Sequence, residues 1–143
     1  MKALPHRYAT SIVGGPEVHA ALSSAGVPDL RTAPPLEFDG PGDAWSPEQL
    51  LLAAVEACFL LTFRAVAQAS RLEFASIAVE AEGIVDRVGG VTRFTEIVLR
   101  PRVALPAGTD QVRVQRALEK ADRACLVSAS LATPIRLEPF VAE

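Results

Sequence analysis

The residues of this chain best suited to chemistry are its two cysteines, Cys58 and Cys125. A thiolate is a nucleophile and a metal ligand, and two thiols together can cycle between dithiol and disulfide. Cysteine also behaves as a small buried hydrophobe. Each of these sits on the apolar side of a predicted helix, so a core role competes with a chemical one. The two histidines, His6 and His19, lie in N-terminal strand segments far in sequence from either cysteine. No Cys-x-x-Cys pair occurs, so neither a zinc site nor a Cys–His nucleophile pair is supported. Gly14-Gly15-Pro16 and Gly89-Gly90 read as turns, since no glycine-rich loop follows a strand and opens a helix. No metal is expected.

Composition narrows the setting for that chemistry. With 143 residues and 50% hydrophobic content, a single domain over residues 1–143 with a real core is expected. A net charge of −3 argues against a nucleic-acid binder that works by neutralising phosphates. Two cysteines are too few for a disulfide-stapled secreted scaffold. The segment Met1 to Arg7 has no apolar stretch of the secretory type. A reducing cytoplasmic setting is therefore expected, where paired cysteines are catalytic, redox-sensing or metal-binding. Leu50 to Ala69 is long enough to suggest a membrane span, but it carries Glu56, Arg64 and Gln68. Mid-span charges are costly, and the reading is a buried helix with no membrane partner.

The elements that must position the cysteines follow from pattern. Seven of the 11 prolines lie at or before Pro47, so this region is expected as short strands and loops. Tyr8 to Val13 and Glu17 to Leu22 read as strands, with a third through Leu36 and Phe38, then a loop over Asp39 to Asp43. Ser46-Pro47-Glu48-Gln49 is a helix start with a capping serine, proline at the first position and Gln49 completing a capping box. The helix should run to about Ser70, roughly 35 Å. Being apolar nearly all round, it should be covered on most sides. Ala75 to Asp86 and Val91 to Val103 form an antiparallel hairpin around Gly89-Gly90. A second helix runs from Thr109 to Cys125, a further helical turn from Val127 to Leu131, and a last strand from Ile135 to Val141. The class is α+β.

Two segments resemble one family. Ser46-Pro47-Glu48-Gln49-Leu50 leading to Ala57-Cys58-Phe59 resembles the signature helix of the OsmC/Ohr family, the thiol-dependent hydroperoxide reductases. Ala117 to Ser128, with Cys125-Leu126-Val127-Ser128 at its end, resembles the family segment that holds the second cysteine. Gly40-Pro41-Gly42 fits as well, and the element order agrees over the whole chain. The resemblance implies an OsmC-like fold, with antiparallel sheets around a long central helix. It also implies reduction of organic hydroperoxides, with hydrogen peroxide as a further substrate. Cys58 would become a sulfenic acid, and Cys125 would condense with it into an internal disulfide. An external dithiol, a lipoylated protein in the Ohr branch, would reset the pair, so no bound cofactor is implied. Phe59, Leu61, Phe63 and Trp45 are candidates for the walls of an apolar substrate pocket, or ordinary core.

Glu48 matches the family's catalytic glutamate. Ten helical residues, roughly 15 Å, separate it from Cys58, too far for the two side chains to meet. If both serve one site, Glu48 must reach the cysteine of another subunit, which requires an intertwined homodimer. Otherwise Glu48 is an acid favoured by the N-terminal end of the helix dipole. The sequence departs from the family at three positions. Pro16 stands where the Ohr branch has arginine, Leu126 where proline is usual, and Asp122 where histidine is common; Arg7 and Arg31 are the nearest substitutes for the lost cation. These departures motivate an alternative function on the same fold, a redox-sensing or apolar-ligand-binding module with little catalysis.

Overall fold

A computed structural model describes all of Met1–Glu143, which resolves into two compact units, residues 1–50 and 51–143. Turn chemistry dominates the first. Three short antiparallel strands, β1 (Ser11–Gly14), β2 (Ala20–Ser23) and β3 (Leu30–Thr32), pair in that order. Val13 lies opposite Ala21, and Ala21 opposite Arg31. β1 and β2 begin later than the sequence pattern suggests, and the residues between them, Gly15 to His19, form the connection around Pro16.

The strand expected through Leu36 and Phe38 is instead a single 3-10 turn, Leu36–Phe38. Pro34 and Pro35 have no amide to offer a sheet. The chain folds back through Phe38 N–H to Pro35 O (3.0 Å), Asp39 N–H to Leu36 O (3.1 Å) and Gly40 N–H to Pro35 O (2.9 Å). A Cβ at residue 40 would stand 1.7 Å from the Pro34 carbonyl oxygen, so only glycine fits there. The true third strand, β3, is three residues long and lies between Pro28 and Pro34. The following loop is tied down at one carbonyl. Trp45 O accepts from Thr32 Oγ1 (2.6 Å) and from Ala33 N–H (3.2 Å). The capping box then forms as expected: Gln49 Oε1 accepts from Ser46 N–H (2.9 Å), and Ser46 Oγ accepts from Gln49 N–H (3.2 Å). From it starts α1, Pro47–Ala69.

The second unit is built on a long hairpin, β4 (Ser76–Val88) and β5 (Val91–Ala104). Gly89 and Gly90 take φ of 59° and 79°, the two left-handed positions that a tight hairpin turn requires. α2 (Gln111–Ala124) is capped by Asp110, whose carboxylate accepts from Val112 N–H at 2.9 Å. α3 (Leu126–Ala129) follows directly. The single last strand of the sequence reading is two strands, β6 (Ile135–Leu137) and β7 (Phe140–Ala142), separated by Glu138 and Pro139, the latter with no amide to donate. Both run parallel to β5, with Ile97 opposite Ile135 and Arg102 opposite Phe140. The expected antiparallel pairing is present in β1–β3 and in the β4–β5 hairpin, and β6 and β7 add parallel strands to the latter. The α2–α3 segment is a crossover that returns the chain to β5 in the same direction, as a parallel pairing needs.

One apolar stripe of α1, Val55, Phe59, Phe63, Val66 and Ala67, shares a core with Leu99 and Val103 of β5 and Val114, Leu118 and Ala121 of α2. Phe63 meets Phe74 edge-on at 5.2 Å between centroids. The rest of α1 is less enclosed than the sequence suggests. Ala54, Ala57 and Ala65 are exposed, and Leu61 is 58% exposed. A single chain covers one face of this helix, not most of it. On the outer face of the sheet, Arg100 pairs with Glu138 (3.0 Å) and Glu82 (3.6 Å), while Arg136 bridges Glu96 (3.0 Å) and Glu138. These exposed pairs align β6 on β5 at little net energy.

Phe59 is completely buried in the shared core. Truncation to alanine should cost about 3–5 kcal/mol in chemical denaturation, from lost transfer energy and the cavity left behind. Phe59→Leu should cost clearly less.

Candidate functional site

Packing the Phe59 stripe inward leaves Cys58, one residue earlier on α1, half-buried. Cys125 is fully buried. It stands where α2 ends and α3 begins, in an extended conformation (φ −66°, ψ 111°), and it is the N-cap residue of α3. The first amides of any helix have no partner within the helix. Near the two sulfurs, the dipoles of the Val127 and Leu126 amides lower the Cys58 thiol and that of the Ser128 amide lowers Cys125. Two hydroxyls join them. Ser128 Oγ–H donates to Cys125 Sγ at 3.3 Å, and Thr62 Oγ1, one helical turn after Cys58, lies 4.0 Å from its sulfur. The two thiols are free, and each shifts the titration of the other.

These surroundings split the two thiols in opposite directions. Burial pushes the Cys58 thiol up, but the Val127 amide, the Cys125 thiol, the Thr62 hydroxyl and the Leu126 amide outweigh it and hold Cys58 below the ordinary cysteine value. Burial also pushes Cys125 up. The Ser128 hydroxyl and amide oppose this, while the adjacent Cys58 reinforces it, and the net position is above the ordinary value. The result is a half-open thiol held below the ordinary cysteine value and an enclosed one held above it.

The other candidate residues fall elsewhere. Glu48 lies in the first turn of α1, ten residues before Cys58 on the same helix, and its Oε2 is buried with no hydrogen-bond partner. Arg31, in the first unit, is engaged by Asp43: it donates to the Asp43 carbonyl at 3.1 Å and lies 3.4 Å from Oδ2. His19 Nε2 contacts Asp43 Oδ1 at 2.8 Å, and His6 Nε2 contacts the Lys2 carbonyl at 2.9 Å. Asp122, half-buried on α2, has its carboxyl raised by burial, against the pull of Arg123. Of the proposed pocket walls, Phe59 and Phe63 are core, whereas Leu61 and Trp45 are exposed. Sequence reasoning assigned no role to Thr62 or Ser128. Their signals were a hydroxyl four residues after a helical cysteine and another three after a cysteine at a helix start.

Iodoacetamide should therefore modify Cys58 with a pH midpoint below that of an ordinary thiol, and Cys125 far more slowly. Cys125→Ala removes one of the groups that lower Cys58, so the midpoint should move up. An unchanged midpoint in that variant would show that the two thiols do not interact.

The family profile described as OsmC-like protein matches residues 40–139. An organic hydroperoxide resistance protein from Xanthomonas axonopodis pv. citri is 33% identical over 127 residues, covering 87% of this chain and 84% of that protein. The uncharacterised protein YmaD of Bacillus subtilis is 35% identical over 107 residues, 73% of this chain and 71% of its own length. Among solved structures, an OsmC-like protein of unknown function from Vibrio cholerae superposes with a TM-score of 0.88 at 18% identity, covering 95% of this chain and all of that one.

Proposed function

This chain belongs to the OsmC family, and we propose that it is a cysteine-dependent peroxidase that reduces organic hydroperoxides to alcohols. The Cys58 thiolate attacks the terminal peroxide oxygen. An S–O bond forms, the O–O bond breaks, and the alkoxide leaves with a proton as the alcohol, so Cys58 becomes a sulfenic acid. Cys125 then attacks the Cys58 sulfur, the S–S bond forms, the S–O bond breaks and water leaves. An external dithiol, carried on a lipoylated protein, reduces the disulfide and is itself oxidised to a disulfide. The observation that carries this reading is a pair of free thiols that shift one another in opposite directions, one half-open and held low, the other enclosed and held high. The organic hydroperoxide resistance relative from Xanthomonas supports the substrate class.

The same reading includes a homodimer. A buried carboxylate oxygen without a donor is costly, roughly 1–3 kcal/mol, and Glu48 Oε2 is such an atom. The exposed Leu61 and the alanines beside it on α1 offer an apolar stripe of the kind that a second copy covers. One observation favours the redox-sensing alternative. Pro16 replaces the resemblance's cation, and Arg31 is already engaged by Asp43. Under that alternative, oxidation is slow and stops short of one equivalent.

Reduced protein mixed with cumene hydroperoxide should consume peroxide and lose both free thiols. Cys58→Ser should abolish consumption, and Cys125→Ser should consume one equivalent and stop at the sulfenic acid. Persistence of both thiols with no peroxide consumed would refute the peroxidase reading. In sedimentation analysis the wild type should be a dimer and Leu61→Asp should dissociate it. A monomeric wild type would remove the two-chain site.

A further inference from the structure

α3 is four residues long, and the serine within it, Ser128, behaves differently from the one that ends it, Ser130. Ser130 Oγ–H donates to the Leu126 carbonyl at 2.9 Å, the usual resort of a helical serine. Ser128 instead turns its hydroxyl to the sulfur of the N-cap residue, Cys125, at 3.3 Å. It is the third residue of the helix, the position from which a side chain reaches back to the cap in a capping box. Cys125 is closed to solvent, so water cannot solvate its sulfur as a charge develops there. A buried anion without donors is expensive, and a hydroxyl already oriented at the sulfur lowers that cost before the reaction begins.

We propose that Ser128 is a positioning residue for Cys125, holding its sulfur as the attacking thiolate during closure of the disulfide with Cys58. The inference rests on the peroxidase reading of this site and adds to it a residue that governs the second step alone. In that step Cys125 gives up its proton, which ends on the departing hydroxide, and its sulfur, with the Ser128 hydroxyl still donating to it, attacks the Cys58 sulfenic sulfur. The S–S bond forms, the S–O bond breaks, and hydroxide leaves and is protonated to water. The oxidant is the hydroperoxide already consumed in the first step, and the first step does not involve Ser128. Burial alone would leave Cys125 protonated, and Ser128 supplies the leading opposing interaction.

The test separates formation of the sulfenic acid from its resolution. With one equivalent of cumene hydroperoxide, Ser128→Ala should form the sulfenic acid at the wild-type rate, trapped as a dimedone adduct. It should close the disulfide about ten-fold more slowly at neutral pH, with the pH profile of closure moved up by about one unit. Excess peroxide should then drive more of this variant to the sulfinic acid. Ser128→Thr keeps the hydroxyl and should restore closure. In a Cys58→Ser background, where no peroxidase activity is needed, thiolate absorbance should show Cys125 titrating at higher pH with alanine at 128 than with serine. Wild-type closure and an unmoved profile in Ser128→Ala would overturn the inference, as would a Cys125 titration indifferent to residue 128. Absence of any sulfenic acid in the wild type would instead mark failure of the peroxidase reading itself.

Discussion

A sulfur anion on an apolar helix needs hydrogen-bond donors, and the backbone of the helix that carries it cannot supply them. The amides of α1 around Cys58 are committed to the carbonyls one turn back. Solvating an anion there takes donors from elsewhere, because an unpaired buried charge is prohibitive. The donors come from the break between α2 and α3. If α2 ran on through Cys125, the amides of Leu126, Val127 and Ser128 would all be consumed inside it. Because the chain becomes extended at Cys125, these amides are left out of α2, and their dipoles lower the two thiols. Phe59 of α1 and Leu118 and Ala121 of α2 share one core, which ties the helix of Cys58 to the helix that ends at Cys125.

The groups that lower Cys58 are all neutral: two amides, a thiol and a hydroxyl. Dipoles at close range are less affected by dissolved salt than a surface cation would be. A chain with Pro16 in place of an arginine thus still holds one thiol below its ordinary value by neutral dipoles. In the proposed peroxidase reading, the same dipoles divide labour between the sulfurs. The half-open one gains more from its donors than burial takes away, and the enclosed one does not. A nucleophile needs access and thiolate character, whereas a resolving thiol profits from shelter until its partner is oxidised.

Much of this was legible in the sequence. Ser46 and Gln49 announced the start of α1 because capping is local chemistry, and their hydrogen bonds are the predicted ones. Gly89-Gly90 announced the hairpin because two left-handed residues in succession admit little else. The alternation of β4 and β5 and the period of α2 were clear because one face of each meets the core. What was misread depended on backbone donors and on distant partners. Leu36 and Phe38 alternate like a strand, but the prolines before them leave no amides for a sheet. β3 is too short to carry a period. The strand after Pro134 gave no sign of its direction, which is set by the crossover and not by its own residues. The pairing of Cys58 with Cys125 came from resemblance, and the neutral donors around them were invisible because an amide has no letter in a sequence.

The central claim is that these two thiols form one redox couple. The most direct measurement is the mass of the reduced wild-type chain after one equivalent of cumene hydroperoxide, followed by peptide mapping without reductant. The account predicts a chain lighter by two hydrogens, with the peptides of Cys58 and Cys125 joined by a disulfide. A chain that gains oxygen at Cys58 with Cys125 still free, or that remains unmodified at both cysteines, would contradict it.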